Sequence, residues 1–319
     1  MDKEAIVVSN LSKRFGKFVA VDGISFHVRK GEIYGFLGPN GAGKSTTIRM
    51  LCGLLMPSSG TAIVAGFDVR RESESVKEHI GYMSQRFSLY EDLTVEENIL
   101  FYGGIYGLSN APLEQRKEWV LGMAGLTGKE QMMTRDLAGG WKQRLALGCA
   151  MLHEPEVIFL DEPTAGVSPV SRRSFWNLIH EMSQRGTTIF VTTHYLDEAE
   201  YCNTIGLIYA GRLISQGSPR KLKEQLSEYQ IFEIRGTRIV EGMEILQDQP
   251  WVAETSIFGT AMHISVSGIR DAERRIRRTL SSQDIDVHSV QTISPSLEDV
   301  FLHLIASEDS RRQTGDSTR

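Results

Sequence analysis

Cysteine is scarce in this chain: three residues, Cys52, Cys149 and Cys202, stand far apart and in no CxxC pair. That excludes a disulfide scaffold and a cysteine-built zinc site, and it fits a reducing compartment. No run approaches the roughly 18 consecutive apolar residues that a membrane-crossing helix needs. The first ten residues, MDKEAIVVSN, are charged and lack the apolar core of a signal peptide. Any membrane role must therefore run through a partner, and the chain reads as a soluble cytoplasmic protein. An excess of positive charge is also missing. Thirty-five Lys and Arg face 40 Asp and Glu, giving a net charge of −5, so no basic field advertises nucleic acid. The one basic cluster, Arg274-Arg275-Ile276-Arg277-Arg278, reads as the solvated face of a helix around Ile276 and Leu280.

What is present is an ordinary globular composition, 41% hydrophobic and 24% charged, in 319 residues, long enough for two domains. Residues 1–227 alternate short apolar runs with amphipathic stretches, the pattern of an α/β domain with a mainly parallel sheet. Strands are expected at Ile33–Leu37, Ile80–Met83, Val157–Asp161 and Thr188–Thr192. Between about 88 and 153 the periodicity changes to helical, through Val95, Ile99 and Tyr102, then Trp119, Val120 and Met123, then Leu145, Leu147 and Met151. A helical subdomain thus interrupts the sheet domain. Residues 228–307 read strand, helix, strand, strand, helix, strand, with Gly259-Thr260 as the hairpin turn, a ferredoxin-like α+β order. A last helix is expected to open at Ser294-Pro295, and the polar segment 308–319 is expected to be disordered.

The chemistry sits in Gly38-Pro39-Asn40-Gly41-Ala42-Gly43-Lys44-Ser45-Thr46. It fits GxxxxGK[ST] at every fixed position, follows an apolar strand and precedes a helix bearing Ile48, Leu51 and Leu55 on one face. Glycines let such a loop curl its amides around phosphate oxygens, and the helix N-terminus adds partial positive charge. Lys44 should reach the β- and γ-phosphates, and the Ser45 hydroxyl should ligate Mg²⁺. A second element supports this. The apolar run Val157–Leu160 ends in Asp161-Glu162, as a central strand delivering carboxylates at its C-terminal end would. Asp161 would hold Mg²⁺, and Glu162 would orient the attacking water.

With these residues in place, the span Ile6 to Gly217 resembles the ATP-binding-cassette ATPases, a P-loop NTPase core carrying a helical insertion. The resemblance implies ATP and Mg²⁺ as cofactors and adds further site residues. Gln85 looks like the glutamine that senses Mg²⁺ and the attacking water. His194 looks like the switch histidine that contacts the γ-phosphate. Phe15 stands where the family places an aromatic ring against adenine, the reading preferred here over a core residue after Ile6 and Val8. Leu137-Ala138-Gly139-Gly140-Trp141-Lys142-Gln143-Arg144 is similar to the signature motif that opens a helix toward the ATP of a second subunit. One chain would then carry two half-sites, so a second ATPase subunit, identical or not, is an implied partner.

Two departures from the family pattern stand out. Ala138 replaces the usual signature serine and Trp141 the usual glutamine, removing a charge-assisted hydrogen bond worth on the order of 1.5–3 kcal/mol. The loop Gly166-Val167-Ser168-Pro169 has serine where the family usually has aspartate before the proline. Segments Thr193–Glu200 and Ser294–Phe301 are similar to the drug- and antibiotic-exporter branch. That similarity implies an export motor with a separate polytopic membrane permease, docked on the helical insertion at the cytoplasmic face of the membrane. Two alternatives are a soluble cassette ATPase acting on ribosomes or nucleic acid, and a regulatory subunit with weak hydrolysis.

Overall fold

The computed structural model describes residues 4–85 and 89–316, and the chain divides into two compact units, 1–216 and 217–319. In the first unit come β1 (Glu4–Phe15), β2 (Phe18–Arg29), β3 (Ile33–Leu37), α1 (Lys44–Leu51), β4 (Ser59–Val64) and β5 (Phe67–Asp68). They are followed by α2 (Ser73–His79), β6 (Ile80–Met83), α3 (Val95–Ile105), α4 (Asn110–Ala124), α5 (Gly139–Ala150) and β7 (Val157–Asp161). The unit ends with α6 (Pro169–Gln184), β8 (Thr188–Thr193), α7 (Leu196–Ala199), β9 (Thr204–Tyr209) and β10 (Arg212–Gly217). Its strands form two sheets, β2-β1-β4-β5 and β10-β9-β3-β8-β7-β6. The second holds the parallel strands: β8 pairs in parallel with β3 and β7, β3 with β9, and β7 with β6.

β3, β7 and β8 are buried at every position, as a sheet covered on both faces requires. A core draws side chains from both sheets and from α1 and α2; within it Phe26, Tyr34 and Phe190 stack and Phe36 packs tilted against Phe26 and Phe190, with centroids 5.3–5.8 Å apart. The antiparallel sheet is an addition to the sequence reading, which assigned this part no sheet of its own. The helical insertion is a packed three-helix body, α3, α4 and α5, around Ile99, Val120, Leu145 and Cys149. Its first helix starts at a capping box in which Thr94 and Glu97 each accept the other's backbone N–H. Ser88, the expected first residue of the insertion, lies outside the described residues.

The second unit holds α8 (Pro219–Glu224), β11 (Gln230–Gly236), α9 (Ile239–Gln247), β12 (Val252–Phe258), β13 (Ala261–Val266), α10 (Ala272–Ser281), β14 (Val287–Ile293) and α11 (Leu297–Asp316). The strands form an antiparallel sheet in the order β12-β13-β11-β14, the ferredoxin-like arrangement. Gly259, at φ +59°, makes the two-residue turn that pairs Phe258 with Ala261. Three expectations are corrected here. The division falls after Gln216 rather than after 227, because α8, capped by Ser218, packs on α11. The last helix is capped by Ser296, not Ser294. Ser296 Oγ accepts the Asp299 N–H at 3.1 Å while Asp299 Oδ2 accepts the Ser296 N–H at 2.8 Å, so two otherwise orphaned donors are satisfied there. Finally, α11 continues through 308–316, supported by an Arg312–Glu308 pair at i,i+4; residues 317–319 lie outside the described residues.

On the sheet side away from α9 and α10, Glu254 and His263 meet groups of α11, and Glu233 meets His263 at 3.7 Å. His263 Nδ1 lies 3.1 Å from Asp299 Oδ1, and His303 Nδ1 3.5 Å from Glu254 Oε2. Burial and the nearby Asp299 charge push the Glu254 carboxyl up to about 7.

Candidate nucleotide site

Parallel pairing decides where the chemistry gathers. Because β6, β7, β8 and β3 run in one direction as neighbours, the residues that leave their C-terminal ends share one edge of the sheet. Gly38–Lys44 follows β3, Gln85 follows β6, Asp161-Glu162 end β7, and His194 follows β8.

The loop's shape requires its glycines. A Cβ on Gly38 would lie 2.1 Å from the Ile208 carbonyl oxygen, and one on Gly43, at φ +109°, 2.6 Å from that of Ala20. Gly43 caps α1, which begins with Lys44 itself. The lysine is buried, 4% exposed, and its Nζ donates to the carbonyls of Gly38 (2.8 Å) and Pro39 (3.2 Å). It also pairs with Glu162 Oε1 at 3.2 Å. Ser45 Oγ donates to Asp161 Oδ1 at 3.1 Å, so two hard oxygen donors converge beside the loop, a set suited to a Mg²⁺ that keeps several waters. Asn40 and Gly41 are exposed at the tip, and Pro39, Ser45 and Thr46 half-buried.

Glu162 is the hub. Besides Lys44, its carboxylate accepts from Gln85 Nε2 at 3.0 Å and lies 3.3 Å from His194 Nδ1. Sequence reasoning placed Gln85 with the metal ligands; here its amide meets Glu162. Glu162 also has φ +49°, a left-handed backbone uncommon for a side-chain-bearing residue. Thr192, fully buried and directly across from Asp161 on β8, holds that turn. Its Oγ1 donates to Asp161 Oδ1 at 2.7 Å and accepts the Glu162 N–H at 3.0 Å. Thr192 is not legible as a site residue from the sequence; its signal was the Thr192-Thr193 pair closing β8, with Thr192 paired in register with Asp161.

Phe15 ends β1 across from Phe18 and is 49% exposed, with Lys13 Nζ 5.0 Å from its ring centre. It is a surface aromatic, not a core residue. Ala138, Gly139 and Gly140 open α5, with Ala138 at the cap position and no side-chain cap bond. Ala138 and Gly139 are exposed. Gly140 has a reason within the chain: a Cβ there would lie 2.7 Å from Ser171 Oγ on α6. Trp141 packs on the helical-subdomain core, with Lys129 Nζ 4.9 Å from its ring centre. Ser168 caps α6 by accepting the Ser171 N–H. Gln143, two residues beyond Trp141, is buried and donates to the Pro163 carbonyl at 2.8 Å, tying the signature helix to the loop after Glu162. Among the described residues no helix is long and apolar enough to cross a membrane.

Comparisons with known proteins agree with this geometry. The family model "ABC transporter" matches residues 21–165, and "ATP-binding protein DrrA1-3-like, C-terminal domain" matches 217–305. The chain is 50% identical over 220 residues to the Escherichia coli "Probable multidrug ABC transporter ATP-binding protein YbhF", covering 69% of this chain but only 38% of that relative. It is 35% identical to the Bacillus subtilis "Linearmycin resistance ATP-binding protein LnrL", across 92% of this chain and 96% of that one. The same identity links it to the Paraburkholderia xenovorans "Nod factor export ATP-binding protein I", over 97% and 99% of the two chains. Among solved structures, CbiO1 from Clostridium perfringens superposes with a TM-score of 0.65 at 29% identity, over 71% of this chain and 94% of that one. Matched over nearly their whole length by relatives of this identity, the cassette and its C-terminal unit show that the chain belongs to the family of ABC transporter ATP-binding proteins.

Proposed function

We propose that the chain is the ATP-hydrolysing motor subunit of an exporter, and that Glu162 carries the hydrolysis. The observation behind this is the convergence of Lys44, Gln85 and His194 on one buried carboxylate, beside the Ser45–Asp161 oxygen pair. Lys44 and the amides of Gly38–Thr46 hold the β- and γ-phosphates, and Phe15 offers its exposed ring to the adenine. Ser45 and Asp161 hold Mg²⁺, which when bound neutralises phosphate charge. Glu162 orients and polarises a water toward the γ-phosphate, with Gln85 and His194 fixing the carboxylate and contacting the reacting phosphate. The bared helix start at Ala138, Gly139 and Gly140 faces the ATP of a second ATPase subunit, so turnover requires a dimer.

The membrane-facing half of the proposal rests on the relatives. Those described above are named for drug resistance, multidrug transport and Nod factor export, which supports an exporter and gives no support to a ribosome- or nucleic-acid-directed role. A separate polytopic permease, at the cytoplasmic face, would dock on the helical subdomain. The regulatory reading keeps one observation in its favour, the signature and loop substitutions Ala138, Trp141 and Ser168. The test is reconstitution in vesicles with a polytopic membrane protein recovered by co-purification with this chain. Mg-dependent ATP hydrolysis that rises when the two are combined supports the motor reading. Absence of hydrolysis by the chain, alone and combined, leaves the regulatory subunit.

A further inference from the structure

One buried carboxyl side chain next to the site has no place in the chemistry above. Glu198, on α7, is fully buried, and its carboxylate reaches three elements at once. Thr164 Oγ1 donates to Oε1 at 2.5 Å, and Thr193 Oγ1 donates to Oε2 at 2.7 Å. Arg172 Nε, on α6, comes within 3.3 Å of Oε1, a charge contact outside hydrogen-bond geometry. Thr164 stands two residues after Glu162, and Thr193 immediately before His194. The Thr193 hydroxyl also accepts the Tyr195 N–H at 3.0 Å, so both neighbours of His194 are held through one oxygen. The Tyr195 ring is in turn flanked by the Arg172 guanidinium at 4.1 Å and the His194 ring at 4.1 Å.

A carboxylate out of contact with water is costly, and it persists only where hydrogen bonds and an opposite charge satisfy it. Here those partners are the loop that carries Glu162, the strand end that carries His194, and the first turns of α6. We infer that Glu198 is a positioning residue for hydrolysis. By tying Thr164 to Thr193 it sets the separation of Glu162 and His194, and through Arg172 it links that separation to the N-terminal part of α6, whose Ser171 abuts signature residue Gly140. This rests on the roles given above to Glu162 and His194. An ionised carboxylate is acceptor-only and can take both hydroxyl protons while answering Arg172. A glutamine of the same shape cannot: its NH₂ forces one threonine to reverse, and of the two carboxylates facing Arg172 only Asp197, 3.6 Å away, keeps its charge.

The experiment uses the full-length chain, with ATP turnover, nucleotide affinity and thermal unfolding measured together. Glu198→Gln should lower kcat about ten- to a hundredfold while the KM for ATP stays within about threefold. Thr193→Val should reproduce the loss and Thr193→Ser should recover most of it. The decisive arm is His194→Ala. If Glu198 acts through His194, adding Glu198→Gln to that variant costs less than about threefold more, because coupled residues are not additive. Should Glu198→Gln unfold the protein, Thr164→Val and Thr193→Val, which each remove one hydroxyl, carry the same test. Parent turnover in Glu198→Gln, or a loss that multiplies in full with His194→Ala, overturns the inference. Parent turnover in His194→Ala alone would instead remove the role of His194 on which it is built.

Discussion

Replacing Glu162 with glutamine separates its two electrical roles. In the structure its Oε1 lies 3.2 Å from Lys44 Nζ, with both side chains at most 8% exposed. The carboxylate therefore serves as counter-ion to the lysine that is to grip ATP. When a γ-phosphate takes that lysine, carboxylate and phosphate become like charges around one ammonium. Two unit charges about 4 Å apart repel by about 4 kcal/mol at an effective dielectric near 20, which is the ceiling on what removing the charge can return. The two anions need not approach so closely, so a net gain of about 1.4 kcal/mol, tenfold in ATP affinity, is expected. Hydrolysis moves the other way. Loss of the group that polarises the water should slow turnover by about 10²–10⁴-fold, roughly 2.7–5.5 kcal/mol of barrier. Single-turnover hydrolysis with a fluorescent-nucleotide titration reads both, and size-exclusion chromatography with Mg-ATP should show the dimer accumulating. Parent-rate turnover in this variant, or a tenfold weaker ATP affinity, would refute the assignment.

The signature substitution predicts a gain. Ala138→Ser restores a hydroxyl to the exposed start of α5, and a charge-assisted bond of about 1.5–3 kcal/mol sets a ceiling of roughly ten- to a hundredfold on the increase in steady-state turnover; an unchanged or lower rate would show that the two glycine amides suffice. The second unit predicts a pH dependence. Glu254 has its folded pKa raised from 4.5 to about 7, so its contribution to stability is fully present below about 4.5 and is lost as pH rises through about 7. Glu254→Gln should therefore match the parent's unfolding midpoint at pH 4 and exceed it at pH 8. Equal midpoints at both values would place the carboxyl in ordinary solvent.

Much of this was legible in the sequence because it is written in local patterns. The strands of the parallel sheet are continuous apolar runs, and Ile33–Leu37, Ile80–Met83 and Val157–Asp161 fall where the pattern put them. Lys44 was legible in its glycine-loop pattern and Asp161-Glu162 at the end of an apolar run, whereas His194 came from the family resemblance; parallel pairing brings all four to one edge of the sheet. What escaped was non-local or reciprocal. The antiparallel sheet rests on β1 and β2 pairing in shifting registers, which no single strand reveals. Ser294-Pro295 looked like a helix start because serine before proline is a good cap. Ser296 won because Asp299, three residues on, returns a bond to it and uses its other oxygen on buried His263. Thr192 and Glu198 were invisible because their partners lie 31 and 34 residues away, brought together by β7–β8 pairing and the turn beyond β8.

The central claim is that Lys44, with the loop amides, grips the phosphates of a nucleotide that this chain hydrolyses. Lys44→Ala, measured by calorimetric ATP binding and Mg-dependent phosphate release on the full-length protein, tests it most directly. Loss of the ammonium should weaken ATP binding about ten- to a hundredfold, the worth of a charged hydrogen bond, and reduce hydrolysis to background. Affinity and turnover both equal to the parent's would contradict it.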